Sequence, residues 1–598
     1  MLNASEYLML VAQRGTDGKP IERVYRWIRN EDVLMSAYMN IYANDGATTI
    51  GTDGQDTIDG MSLERINRIS DQLLNGTFKW KPARRVYIPK ANGKTRPLSI
   101  PSWTDKLVQE AMRMILAAYY EPQFSNFSHG FRTKRGCHTA LNQLANAGGW
   151  TGTKWFIEGD IKGCFDNIDH AILMEILSRS IRDDRFAKLV REMLKAGYLE
   201  DWKYNSTYSG TPQGGLVSPL LSNIYLNELD KYVTDELIPE YTKGKARKEA
   251  KGYGRLRGRI ARAMKKGDKD QVKEVRKRMK IIPSGETHDP NFRRLRYVRY
   301  ADDFLLGFAG PKDEALEIKE RLQTYLKEQL KLDMSVEKTL ITHASTQPAK
   351  FLGYEVLCPI SNTKQTENRR AVNGKVQLRM PTEVLKKGME TYSKKGKTIQ
   401  HSALINNSEY DIVQTYAAKL RGLNNYYCMA INVSELYDLK NMMYYSLAKT
   451  IADKQKSTMP KVFRKYAKKI EGMSVIEIKV EREGKPPLIA TFGKEKCRRD
   501  KNPKEMPDAV VRVWTKRTEL LKRMMADKCE LCGSSEKVEV HHIRKLKDIQ
   551  TNTKGQKDKP AWVKKMIALR RKTLVVCRKC HNDIHSGKYD GPSVNTSK

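Results

Sequence analysis

The chain lacks any run of apolar residues approaching the roughly 18 to 20 that a bilayer-crossing helix needs, which argues against an integral membrane protein. Its start lacks a signal pattern too: no lysine or arginine precedes the short apolar stretch from Tyr7 to Ala12. No internal repeat is visible. Acidic residues are scarce, 70 Asp plus Glu against 109 Lys plus Arg, leaving a formal net charge of +39. Cysteine is sparse and uneven, nine in all, scattered until two Cys-x2-Cys pairs near the end. These absences predict a cytoplasmic protein with no membrane partner, in a compartment where paired cysteines bind zinc in preference to forming disulfides.

What is present is length and positive charge. At 598 residues the chain exceeds one hydrophobic core, so three to five domains are expected. A positive field of this size attracts polyanions, nucleic acid first, with nucleotides or an anionic membrane surface as the less specific alternatives. Residues 19 to 76 read mostly as helix, with helical spacing over Ile21 to Met39 and Ser62 to Leu74. Arg84 to Lys90 alternates like a strand and returns through a turn as Thr95 to Ile100. A helix over Asp105 to Tyr120 follows, then a core strand at 156 to 161 and helices over Ala171 to Leu177, Phe186 to Leu194 and Pro219 to Val233. Residues 241 to 280 form a basic insertion, which reads equally as a solvated helix or loop and as a nucleic-acid contact. Helical stretches fill Pro381 to about Lys469. The proline, glycine and charge clusters from Gly472 to Pro507 suggest a linker or small irregular domain.

Three acids carry the first chemical signal. Asp302 and Asp303, in Tyr300-Ala301-Asp302-Asp303, and Asp160 each end or begin an apolar strand-like run. Brought together they repel and raise one another's pKa values unless divalent cations neutralise them, which is the chemistry of phosphoryl transfer on two Mg2+ ions. Phe165, five residues after Asp160, suits an aromatic beneath an incoming sugar, favouring dNTPs over NTPs; its alternative is a core phenylalanine. Arg96 can hold a triphosphate bidentately, with Lys90 as a second charge, and Lys338 is a candidate ammonium near the leaving phosphate. Gln213, in the glycine-rich stretch Gly210 to Gly215, can hydrogen-bond a primer or template strand, although turn formation alone explains the glycines.

The tail carries the second signal. Cys529, Cys532, Cys577 and Cys580 have the spacing of a structural tetrahedral Zn2+ site. Four sulfurs complete that zinc and leave His541, His542, His581 and His585 for other work. His581 and His585 share a face if their segment is helical.

With these residues in place, the chain resembles the bacterial group II intron-encoded proteins, which combine reverse transcriptase, RNA maturase and DNA endonuclease activities. The likeness rests on Gly93-Lys94-Thr95-Arg96-Pro97-Leu98, Ser128-His129-Gly130-Phe131-Arg132, the Asp160 segment, Gly210-Thr211-Pro212-Gln213-Gly214-Gly215, Tyr300-Ala301-Asp302-Asp303 and Phe351-Leu352-Gly353-Tyr354. It implies a multidomain α+β chain with right-hand polymerase fingers and palm, a helical thumb or maturase domain, and a small zinc-stabilised ββα-metal HNH nuclease. The expected divisions are a helical, RNA-binding extension (1–80), fingers and palm (81–360), thumb (361–470), a basic linker or DNA-binding region (471–523) and the nuclease (524–598).

The resemblance also implies roles. Asp160 and Asp302 match the main metal ligands and Asp303 completes the triad, while Phe165, Arg96 and Lys338 match the sugar-sensing aromatic, the fingers arginine and the late palm lysine. Arg421 lies in Arg421-Gly422-Leu423-Asn424-Asn425-Tyr426-Tyr427, which matches the maturase stretch that binds intron RNA. In the nuclease, His541 matches a metal ligand, His542 the general base and His585 the distal ligand, with His581 a nearer ligand or phosphate-side partner. One divalent cation is expected there. Lys572 and Thr573 stand where many members carry an asparagine, so the third signature role is unassigned. The implied partners are group II intron RNA, target DNA and dNTPs, with a homodimer compatible and the bacterial nucleoid as the place of DNA work. Two rivals are a retron-like or defence reverse transcriptase and a splicing chaperone with a decayed polymerase.

Overall fold

The structure, a computed structural model, describes residues 2–588 except 45, 90–92, 94, 147–148, 201–202, 206, 208, 212–213, 287–288, 336, 362–363, 367–368, 371, 483–484, 504–518, 545–559 and 570. Lys90 and Gln213 lie outside the described residues.

A strand buried on both faces must be apolar almost throughout, and Asp303–Ala309 is: every residue after Asp303 is buried. It is an inner strand of a four-stranded sheet ordered Ile341–His343, Trp155–Asp160, Asp303–Ala309, Arg294–Tyr300. Phe304, Leu306 and Phe308 face a core shared with Leu221 and Leu229 of the Ser218–Lys231 helix and Ile318 and Leu322 of the Lys312–Gln329 helix. Phe156, Val298 and Leu305 face the other way, into a core shared with Phe351, Tyr354 and the helices beyond residue 381. The sheet is therefore the middle layer joining palm to thumb.

The most deeply buried exception to the apolar rule is on the neighbouring strand. Arg299 is fully buried, and its Nε and Nη2 donate to Asp230 Oδ1 and Oδ2 at 2.8 and 2.5 Å. Tyr297 donates to the same Asp230 Oδ1 at 2.8 Å. The remaining guanidinium protons go to Asn223, Ser128 and the Ala301 carbonyl, so the buried charge is fully hydrogen-bonded.

The fingers hairpin forms as expected, Ala83–Pro89 against Thr95–Ile100 with Ile88 opposite Arg96. The basic insertion is two helices, Lys251–Lys265 and Lys269–Met279. The helix expected over Ile21 to Met39 is instead Val24–Ile28 and Glu31–Ile41, because Asn30 caps a new helix with its side chain on Asp32 and Val33 N–H.

A larger correction concerns residues 472 to 507. They begin not as a linker but as two strands, Met473–Arg482 and Lys485–Phe492, which with Ala467–Ile470 make an antiparallel sheet. Ile476, Ile478, Ala490 and Phe492 are buried against the helical domain's core. Pro486 and Pro487 mimic a linker, but they sit on an edge strand, where a missing N–H costs nothing. The tail folds as a hairpin, Val538–His542 with Thr573–Cys577, followed by the helix Arg578–Ser586.

Substituting Arg299→Met leaves Asp230 buried and unpaired, a change that costs about 3–5 kcal/mol. Amide exchange of the Asp303–Ala309 strand should quicken by roughly two to four orders of magnitude. Exchange equal to wild type would show that the pair contributes no stability there.

Candidate active sites

Register assembles the first site. Antiparallel pairing sets Asp160 opposite Asp303, and Asp303 opposite Tyr300. Only Ala301 and Asp302 remain to make the turn, and Ala301 takes a φ of 55°, the left-handed conformation that short hairpin turns demand. A loop lies directly on this turn: a Cβ added to Gly130 would stand 2.5 Å from the Ala301 nitrogen. His129 N–H donates to the Arg299 carbonyl at 2.9 Å, and Arg299 N–H to the Phe127 carbonyl at 2.8 Å, which hold the loop in place.

Register sets Asp160 and Asp303 side by side, and Asp302 lies near enough for its charge to act on Asp303. Burial pushes Asp303 up to about 7, with the charges of Asp302 and Asp160 and a hydrogen bond to Asp160 adding to it. Asp302 is raised, chiefly by burial and further by Asp160, while Lys338 and Arg96 pull it down. Lys338 Nζ lies 2.9 Å from both carboxylate oxygens of Asp160, showing that this position draws positive charge. Three mutually repelling oxygen donors form a set that suits a hard cation such as Mg2+.

Phe165 follows Gly163, whose φ of 55° turns the chain into the short Cys164–Asn167 helix. Its carbonyl accepts from Thr211 N–H at 2.7 Å, so the glycine-rich loop is tied to the aromatic. Phe131 stands edge-on to it, centroids 6.3 Å apart, and is 43% exposed. The two rings give the site an apolar wall on which a sugar or base can lie. Arg96 is exposed on the fingers hairpin, on the side whose charge reaches Asp302.

The second site lies in the tail. Cys529, Cys532, Cys577 and Cys580 bring their sulfurs within 4.8 Å of one another. Cys532 and Cys577 Sγ are 3.6 Å apart, close to the roughly 3.8 Å expected between thiolates around one tetrahedral zinc. Cys532 N–H and Cys580 N–H point back at Cys529 and Cys577 Sγ, as in a knuckle that stabilises thiolate charge.

A separate cluster joins His541, His581 and His585 with a residue the sequence did not suggest, Asp59. Nε2 of His585 and of His581 are 3.1 Å apart and lie 2.6 and 3.1 Å from Asp59 Oδ2. Glu539 holds His581 Nδ1 at 2.6 Å, the arrangement that aims the other ring nitrogen at a cation. Burial would lower His581, but its hydrogen bonds to Asp59 and Glu539 prevail and lift it to about 9. His541 is 4% exposed, pushed down by burial to about 3, and among the described residues neither of its ring nitrogens has a hydrogen-bond partner. A buried neutral imidazole with idle nitrogens beside a carboxylate and two further imidazoles fits a divalent metal well.

His542 is placed apart from this donor set. Its Nδ1 is 3.1 Å from the Val540 carbonyl, so that nitrogen carries the proton and Nε2 accepts from the Tyr38 hydroxyl at 3.0 Å. Burial pushes it down to about 4, leaving it a neutral base. Beside it opens a cavity of about 440 Å3 lined by Arg523, Arg544, Arg571 and Lys572, a basic approach for a phosphodiester. Thr573, next to Lys572 at the unassigned signature position, is buried with its hydroxyl taken by Arg523 at 3.0 Å.

Arg421 stands on the Glu409–Tyr426 helix, its side chain 56% exposed, with Nε 3.8 Å from Glu495. Sequence reasoning also missed Asp230 and Tyr38. Nothing local marks either residue, since each acquires its meaning from a partner far along the chain.

A raised folded pKa means that Asp303 keeps its proton between about 4 and 7 while the unfolded chain loses it, so folding stability falls as pH rises through that window. In Mg2+-free buffer, Asp303→Asn should therefore melt roughly 2–4 °C above wild type at pH 8, with the gap shrinking at pH 5. In the tail, Cys529→Ser should lower bound zinc by one ion per chain and destabilise the nuclease, leaving primer extension intact; elemental analysis with a polymerase assay checks both.

Comparison with known proteins agrees with this geometry. Residues 88–356 match the family model for reverse transcriptase (RNA-dependent DNA polymerase), residues 382–498 that for type II intron maturase, and residues 529–581 that for the AI2M/AI1M-like HNH endonuclease. The chain is 40% identical to the group II intron-encoded protein LtrA of Lactococcus lactis subsp. cremoris, over 94% of this chain and 95% of that one. A COX1/OXI3 intron 1 protein of Saccharomyces cerevisiae is 34% identical over 95% of this chain and 69% of its own length. Protein YkfC of Escherichia coli is 36% identical over 56% of this chain and 83% of its own. The chain belongs to the group II intron-encoded proteins, with reverse transcriptase, maturase and HNH endonuclease domains on one polypeptide.

Proposed function

We propose that the protein binds its group II intron RNA to promote splicing, then cuts the second strand of a DNA target and copies the inserted intron RNA from the new 3′-hydroxyl. The observation that carries the polymerase part is the register that pairs Asp160 with Asp303, with Asp302 next to it in the turn and the Lys338 ammonium on Asp160. Two Mg2+ ions held by these carboxylates would supply activation of the primer hydroxyl and neutralisation of the leaving pyrophosphate. Lys338, released from Asp160, is free to meet the phosphates. Arg96 clamps the incoming triphosphate from the fingers side, and Phe165 with Phe131 forms the sugar-facing wall that favours dNTPs.

In the nuclease, Zn2+ on the four cysteines is structural, and His541, His581 and His585 hold the single divalent cation of cleavage. Neutral His542 takes the proton of the attacking water. Intron RNA lies along the basic helical domain, with Arg421 on its phosphates, and the Lys494, Lys496, Arg498, Arg499 and Lys501 cluster contacts the phosphates of the DNA target. The work takes place in a bacterial cytoplasm, at the nucleoid while DNA is engaged.

With Mg2+, an RNA template and an annealed primer, Asp302→Ala should reduce cDNA by about two to three orders of magnitude. Equal cDNA from both proteins would remove the polymerase assignment. Splicing of the adjacent intron at low Mg2+ should depend on added protein; identical splicing without it would remove the maturase role.

A further inference from the structure

The nuclease is not a free appendage. Residues 59–61 of the amino-terminal domain lie along its hairpin: Gly60 N–H donates to the Val540 carbonyl at 3.1 Å, and Val540 N–H to the Met61 carbonyl at 2.8 Å. Met61 and Val540 are both fully buried, and Val540 and Val575 belong to the amino-terminal core, whereas Leu574 and Val576 face the nuclease's own. The segment is itself held firmly. Arg65 donates to the Thr57 carbonyl at 2.8 Å and pairs with Asp56 at 2.7 Å, and Asp56 also accepts from Thr104.

This docking carries Asp59 into the histidine cluster. Oδ1 accepts from His542 N–H at 2.7 Å and lies 3.6 Å from His541 Nδ1, while Oδ2 meets His581 and His585. Donors on a tetrahedral metal with bonds of about 2.0 Å stand roughly 3.3 Å apart, and the spacings of 2.6, 3.1 and 3.1 Å among Asp59 Oδ2 and the two Nε2 atoms come close to that. Three protein ligands leave a tetrahedral metal one position for substrate, whereas four close it. A carboxylate oxygen from Asp59 takes the place that a phosphodiester oxygen needs. The same docking occupies the base, since the Tyr38 hydroxyl, from the same domain, donates to the only lone pair of His542.

We propose that Asp59 is a fourth ligand of the nuclease metal, supplied across a domain boundary, and that the segment carrying it is a latch keeping the nuclease shut until DNA displaces it. The inference rests on the nuclease reading above. Opening requires the strand to leave Val540, which frees the metal's fourth position and the His542 lone pair together. Cleavage is thereby confined to a chain already engaged with its target.

The test uses full-length protein with zinc on its cysteines, titrated with Co2+, whose visible absorption is strong in four-coordinate sites and weak in the six-coordinate geometry expected at the polymerase carboxylates. Asp59→Asn keeps an oxygen for the His542 N–H but loses the anionic ligand, and its primer extension reports that the chain remains folded. The four-coordinate absorption should drop several-fold and Co2+ affinity about tenfold, while Asp302→Ala leaves both unchanged. At saturating Mn2+, second-strand cleavage by Asp59→Asn should rise several-fold. A spectrum and affinity equal to wild type would overturn the proposal. So would slower cleavage at saturating Mn2+, which makes Asp59 a working ligand and not a latch. No four-coordinate Co2+ in either protein would instead remove the metal-site reading on which the proposal stands.

Discussion

The palm is organised around one buried ion pair. Arg299 and Asp230 are wholly shielded from water, and a charge in such a place is tolerable only when every proton and lone pair finds a partner. Satisfying Arg299 recruits the Asn223 side chain from the Ser218–Lys231 helix, the Ser128 hydroxyl from the loop above and the Ala301 carbonyl from the turn. One side chain thus fastens helix, strand, loop and turn to a common point. The acids at positions 302 and 303 stand at the rim of this fastening, and their mutual repulsion is borne by structure beneath them.

Among the described residues the chain offers three chemically distinct donor sets. The palm offers oxygen donors beside an exposed lysine, open to a nucleotide and matched to a hard, readily exchanged ion. The cysteine cluster offers four sulfurs and no opening, which suits a permanent structural zinc. Between these stands the imidazole-rich cluster, whose donor types favour a borderline metal and whose closure depends on how two domains sit against each other.

How much was legible in the sequence follows from how local each signal is. The Asp303–Ala309 run and the fingers hairpin declare themselves by apolar continuity and alternation, and the cysteine pairs by spacing. The break at Asn30 was readable in principle, since asparagine before Glu31 and Asp32 is a strong helix start, but the apolar periodicity runs across it. The sheet after residue 472 was hidden because its prolines and charges lie on an exposed edge while Ile476 and Ile478 point inward. Asp59 was unreadable for a deeper reason. It is one acid in a polar loop, and its meaning appears only when the tail folds back over the start of the chain.

The junction between palm and thumb has a mechanical consequence. Tyr426 and Tyr427 donate to the Leu352 and Gly353 carbonyls at 2.7 and 3.3 Å, Tyr354 donates back to the Tyr426 carbonyl, and His138 meets that same carbonyl at 2.9 Å. Swinging the thumb away would break all four together, leaving half-buried phenols and carbonyls to find new partners. The two parts are consequently fastened along one seam, and opening it costs all four bonds at once rather than one at a time.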